Sequence, residues 1–202
     1  MAYLGTQPNN VKKNIGLYSP SEILQLTKDG SWGGSLELIQ SQSVSGATTC
    51  NFTTIKENLY NVHLLQLDDL ESASSMYSEI RLSNDGGSSY ETSNYERAVQ
   101  YGGTNGSFGV NNSTSADRFS ILNFSNANEP QSLYVYLYNL GNSSVNSLIS
   151  HQAPPSPQWM YFGGGDYTVA ETINAIQVLN SAGASFTGGT ATLYGLKQIW
   201  AT

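Results

Sequence analysis

Side chains able to carry chemistry are few in this chain and widely spaced. His63 and His151 are its two histidines, Cys50 its one cysteine, and Asp68, Asp69 and Glu71 its tightest acidic group. His63 lies inside the apolar run Tyr60 to Leu67, where a hydrogen-bonded core or interface histidine is expected. No Cys or carboxylate spacing completes a zinc set around it. Asp68, Asp69 and Glu71 lack EF-hand spacing and read as the solvated end of a strand. The run Gly163-Gly164-Gly165-Asp166 has neither the Lys nor the following helix of a phosphate loop and reads as a loop. No Gly-x-Ser-x-Gly elbow is present, and no carboxylate pair stands out by spacing. The expectation is a chain that is not an enzyme, with no catalytic residue, cofactor or metal.

The densest local signal is Ile80 to Tyr90, I-R-L-S-N-D-G-G-S-S-Y. Alternating residues run into Asn84-Asp85-Gly86-Gly87, which tolerate positive φ, and a β-hairpin is predicted. Ser83, Asp85, Gly87, Ser89 and Tyr90 fit S-x-D-x-G-x-[ST]-[WY], a pattern that resembles the Asp-box of sialidases. There the residues hold a turn together. One copy without propeller repeats predicts a structural hairpin at Ser83, Asp85, Gly87 and Tyr90, because an Asp side chain satisfies turn amides.

Aromatic residues form the other notable set. In Ser132 to Asn139 (S-L-Y-V-Y-L-Y-N) Leu133, Val135 and Leu137 alternate with Tyr134, Tyr136 and Tyr138. Period two places the aliphatic set in a core and leaves a tyrosine stripe outside or beneath a neighbouring subunit. Trp32 and Trp159 are the candidates for glycan contact, since aromatic rings also stack on sugars.

The elements that must position these residues are strands. From Ser35 onward about ten segments alternate, with turn signals every eight to fifteen residues and no convincing amphipathic helix. Gly102 to Ala116, rich in Gly, Asn and Ser, reads as a long polar loop. Several connections are too long for a meander, so the expected fold is all-β, a jelly-roll-like antiparallel β-sandwich over residues 31–202. Residues 1–30 read as an extended N-terminal docking arm. Ser19-Pro20 starts one short helical turn there, and Tyr3, Leu4, Pro8, Ile15, Leu17 and Tyr18 are its interface candidates, alongside Tyr134, Tyr136 and Tyr138.

At 202 residues the chain can bury a sizeable core. Only 11% of residues are charged, and the net charge is -7. With eight scattered basic residues it has no patch for nucleic acid. No apolar run approaches the ~20 residues of a spanning helix, and no signal peptide precedes the polar start. A single cysteine excludes an internal disulfide.

Two stretches together resemble a family of tailed-bacteriophage virion proteins. One is the block from Tyr60 through Ser83-Asn84-Asp85-Gly86-Gly87-Ser88-Ser89-Tyr90. The other is Ile173-Asn174-Ala175-Ile176-Gln177, followed by Gly188-Gly189-Thr190-Ala191-Thr192-Leu193-Tyr194-Gly195-Leu196-Lys197. Met1-Ala2-Tyr3-Leu4-Gly5-Thr6-Gln7-Pro8 is similar to the opening of virion-attached phage proteins. The resemblance implies a capsid decoration, neck, adaptor or short tail appendage protein, assembled in the host cytoplasm into the virion. Its expected partners are other virion proteins and copies of itself in a trimer or ring. The alternative is a carbohydrate-binding module of a phage fibre that meets a host surface glycan.

Overall fold

The computed structural model describes residues 36–124, 127–153, 159–181 and 183–196, with 19–21, 24 and 25. The chain divides into two compact units, Met1–Gly34 and Ser35–Thr202. In the first, Pro20, Ser21, Leu24 and Gln25 are helical, in line with the Ser19-Pro20 start signal. Tyr3, Leu4, Pro8, Ile15, Leu17, Tyr18, Trp32 and Trp200 lie outside the described residues.

Twelve described strands build the second unit: β1 (Leu36–Ser43), β2 (Thr49–Phe52), β3 (Val62–Ser72), β4 (Met76–Ser83), β5 (Tyr95–Gly103), β6 (Phe108–Ala116), β7 (Phe119–Phe124), β8 (Gln131–Tyr138), β9 (Ser147–Ala153), β10 (Trp159–Tyr167), β11 (Ala175–Asn180) and β12 (Phe186–Leu196). They form an eight-stranded sheet, β1-β12-β3-β8-β9-β10-β5-β6, and a four-stranded sheet, β2-β11-β4-β7. Every pair is antiparallel.

Setting β5, β6, β9 and β10 aside leaves β1-β12-β3-β8 facing β2-β11-β4-β7. That is the strand order of an eight-stranded jelly roll, two Greek keys folded into opposed sheets. The other four strands are two insertions, β5 and β6 between β4 and β7, β9 and β10 between β8 and β11. Both join the same sheet and lengthen it well past the edge of its partner.

Period two decides which side chains enter the sandwich. From β8, Leu133, Val135 and Leu137 are buried while Tyr134, Tyr136 and Tyr138 face out, as the alternation requires. From β3, His63, Leu65 and Leu67 go inward, with Phe52, Leu82, Ile176 and Val178 meeting them from the smaller sheet. Each fully buried Leu, Ile, Val or Phe contributes about 1.5–3 kcal/mol of transfer free energy.

Four sequence expectations need correction. Gly102 to Ala116 is not a long loop: Thr104–Ser107 turns the chain, and Phe108–Ala116 is β6, paired with β5. Its polarity is that of an edge strand, buried only at Ala116. Gly163-Gly164-Gly165 lies within β10, not in a loop, because its neighbours pack so close that a Cβ would strike the carbonyl oxygens of Ala98, Ile149 and Glu96. Asp68-Asp69 does not end β3; the strand continues through a bulge, with Asp69 at φ 49°, to buried Leu70 and Ser72.

The fourth is the hairpin at Ser83, Asp85, Gly87 and Tyr90. The turn exists, closed by a bond from the Glu91 amide to the Leu82 carbonyl (2.9 Å). No strand returns along β4, which pairs instead with β11 and β7. After Asn94 the chain enters β5 in the opposite sheet, so this is a crossover between layers.

Candidate functional site

The outer face of the eight-stranded sheet is built by register. Across the strands one row reads Leu38, Tyr194, Leu64, Tyr136, Ser150, Gly164 and Ala98. The row on one side reads Leu36, Leu196, Val62, Tyr138, Leu148, Asp166 and Glu96. On the other side it reads Thr192, Gln66, Tyr134, Gln152, Phe162, Gln100 and Val110. Charge enters these rows only at Asp166 and Glu96, at one far end. Leu38 is 59% exposed and Tyr134 41%.

The tyrosines hold one another in place. Tyr134 meets Tyr136 edge-on at 5.9 Å between ring centroids, and Tyr136 stacks with Tyr138 at 6.3 Å. Tyr134 donates its hydroxyl proton to Gln152 Oε1 (2.6 Å). Beside them Leu64, Gln66, Asp68, Tyr134, Tyr136 and Gln152 line an open groove of about 540 Å³, with Asp68 accepting from the Gln66 amide (2.9 Å). Large, stiff rings with hydroxyl tips suit a protein interface, since they bury much area for little side-chain entropy.

A second concavity lies between the sheets, where the insertions overhang the smaller one. It is a cleft of about 280 Å³ lined by Tyr77, Val99, Tyr101, Asn111, Ser120, Leu122, Asn123, Trp159 and Tyr161. Trp159 meets Tyr101 edge-on at 5.5 Å, and Tyr101 lies 5.5 Å from Tyr161 at a tilt of 34°. Glycines on adjoining strands make room for the rings. Gly109, opposite Tyr101, has no Cβ to collide with that ring; Gly103, opposite Trp159, would place one 2.9 Å from the indole. Tyr161 is hydrogen-bonded to Asn123, and burial raises its pKa. Trp159, singled out from the sequence, is thus brought together with partners that composition did not mark.

The turn after β4 is a structural device. Asp85 accepts protons from Ser83 Oγ (2.8 Å), Ser89 N (2.9 Å) and Ser89 Oγ (2.7 Å), which pulls its pKa down to about 2. Ser83 Oγ also accepts from the Gly87 amide at 2.9 Å. Gly86 and Gly87 carry the positive φ values, 76° and 86°. Tyr95, at the start of β5, ties the crossover down: its hydroxyl accepts from Leu82 N (2.9 Å) and donates to Glu91 O (3.3 Å). Tyr90 is half-buried beside Gly87.

The two histidines and the Glu79–Arg118 cluster belong to the scaffold. His63 is buried with Nε2 2.8 Å from the Ile55 carbonyl; burial lowers its pKa, against the pull of that bond. His151 is 5% exposed, and neither ring nitrogen has a partner among the described residues; burial pushes its pKa down to about 4. Arg118 joins Glu79 (3.1 Å) and Asp117, and Arg81 reaches Asp117 at 3.3 Å. Burial raises the Glu79 pKa while the Arg118 contact lowers that of Asp117. Both acids are held by the same guanidinium, an arrangement that ties β4 to the turn between β6 and β7. Among the described residues no three His, Cys, Asp or Glu side chains group to hold a metal ion. A comparison with known protein families, curated proteins and solved structures finds no match to this chain.

Proposed function

We propose that this chain is a non-enzymatic structural protein of a tailed-phage virion: a capsid decoration, neck, adaptor or short tail appendage. It self-associates, as a trimer or ring, through the outer face of its larger sheet, and docks on other virion proteins through residues 1–30. The observation that carries the reading is that outer face, three rows of aromatic, aliphatic and amide side chains with charge only at their margins. In a chain of net charge -7, rows with carboxylates only at their margins, Asp166 and Glu96 at one end and Asp68 beside Gln66, are where copies can approach with least repulsion. The phage assignment rests on the sequence resemblance.

Sedimentation velocity of the full chain over a dilution series tests the reading, with Tyr136→Glu as the comparison. A charge in the middle row is expected to yield a folded monomer from an oligomeric wild type. A monomeric wild type, or an oligomer unchanged by Tyr136→Glu, removes the outer face as the assembly surface. Deleting residues 1–30 should block incorporation into particles while leaving the body folded.

A further inference from the structure

We infer that the inter-sheet cleft is a binding site for a neutral saccharide, seating one pyranose unit against Trp159 and Tyr101. The inference is independent of the outer-face reading, because the cleft opens on the other side of the larger sheet.

The location argues first. Trp159 and Tyr161 come from β10, Tyr101 from β5, and Asn111 from β6, all strands of the two insertions. Tyr161 is buried in the core, while Tyr101 and Trp159 pack against its edge and stay half-buried. Tyr101 and Trp159 thus border a space left open beside the core, and they have been given room to do so. Gly109 and Gly103 sit where any Cβ would displace Tyr101 and Trp159. Such a bed fixes each ring before a ligand arrives, which reduces the ordering cost of binding.

The chemistry narrows the ligand class. A pyranose has a face of C–H groups that packs on an aromatic ring and a rim of hydroxyls that needs donors and acceptors together. Trp159 and Tyr101, both half-buried, supply the faces, with buried Tyr161 backing Tyr101. The amides of Asn111 and Asn123 and the Ser120 hydroxyl supply both donors and acceptors. No Lys, Arg, Asp or Glu lines the cleft, so neither a phosphate nor a carboxylated sugar finds a counter-charge. At about 280 Å³ the space is just below the roughly 300–1,000 Å³ of sites for drug-sized ligands, which fits one ring better than an extended chain. Tyr77, 38% exposed, would flank the next sugar along.

Saturation-transfer NMR on the full chain tests this with the methyl glycosides of glucose, galactose, mannose, rhamnose and N-acetylglucosamine, and with N-acetylneuraminic acid as the anionic control. Saturable transfer to at least one neutral glycoside is expected, with affinity in the millimolar range. Trp159→Ala should abolish it, and Asn111→Ala, on an edge strand that tolerates change, should weaken it at least tenfold. Gly109→Ala should also weaken it, by displacing Tyr101 while leaving every polar group in place. Tyr134→Ser, on the opposite face, should bind as wild type. Circular dichroism melts identify any variant that has lost its fold, and Asn111→Ala decides the matter if Trp159→Ala is one of them. Absence of saturable transfer from all the neutral glycosides overturns the inference. So does transfer that survives both Trp159→Ala and Asn111→Ala, or equal binding of N-acetylneuraminic acid.

Discussion

Acidification should destabilise this protein well above the range in which carboxylates titrate, with His151 as the main cause. Its ring lies on the inward face of β9, between Val135 of β8 and Gly163 of β10, and neither nitrogen meets a hydrogen-bond partner among the described residues. Burial disfavours the imidazolium, so the folded protein takes up this proton only near pH 4, against an ordinary value of 6.5 in the unfolded chain. Between those values the unfolded state binds more protons, and stability therefore falls as pH falls. A gap of about 2.5 pH units at roughly 1.4 kcal/mol each is about 3.5 kcal/mol in full, of which about 3 kcal/mol is lost between pH 7 and pH 4, where the folded-state group is half titrated. His63, also depressed by burial, adds to the loss in the same direction. The measurement is the urea midpoint and slope at a series of pH values from 7.5 to about 4. His151→Leu removes the titrating group and should flatten most of the dependence, leaving the portion due to His63. Wild-type stability that is level across this window, or a His151→Leu variant that weakens as steeply as wild type, would refute the reasoning.

Three other outcomes follow from the packing. Gly163→Val would drive a Cβ into the Ala98 carbonyl and within 2.7 Å of Val99 Cα, and should cost about 3 kcal/mol in chemical denaturation or prevent soluble expression. Ser83→Ala removes a buried hydroxyl that serves both Asp85 and the Gly87 amide, and should cost about 1–3 kcal/mol without altering the far-ultraviolet spectrum. The Cys50 thiol is buried and its pKa pushed up to about 12, so a disulfide reagent at pH 8 should leave the native protein unlabelled and titrate one thiol once urea is added.

What could be read from the residues was whatever period two and turn chemistry report locally. β8 was legible because its aliphatic and tyrosine faces differ sharply, and β3 because Val62 to Leu67 is a strongly apolar run with Leu65 and Leu67 in period two. The Asp85 turn was legible too, since its side chain and its own backbone make most of the bonds. Where the chain went after that turn was not, because pairing with β11 and β7 is decided by residues far along the sequence. β6 escaped notice for a different reason: an edge strand whose inward positions are Gly109, Asn111 and Ser113 carries no hydrophobic signature. The glycines of β10 imitate a loop until the crowding of β9 and β5 around them is seen. The cleft suffered from both effects. Trp159 drew attention by its type, but Tyr101, Gly109 and Asn111 straddle a stretch whose composition suggests solvent.

The position of β12 sets an order of events for a chain emerging from a ribosome. β12 lies between β1 and β3, and β11 between β2 and β4, yet these two are the last of the described strands to be made. Until they arrive, the first four strands have unpaired edges and neither half of the jelly roll can close. Folding should accordingly wait for nearly the whole body and proceed slowly, as pairings between distant segments do. Nascent chains halted before residue 175 would present open strand edges to one another, and aggregation in the cell should be dominated by such unfinished molecules.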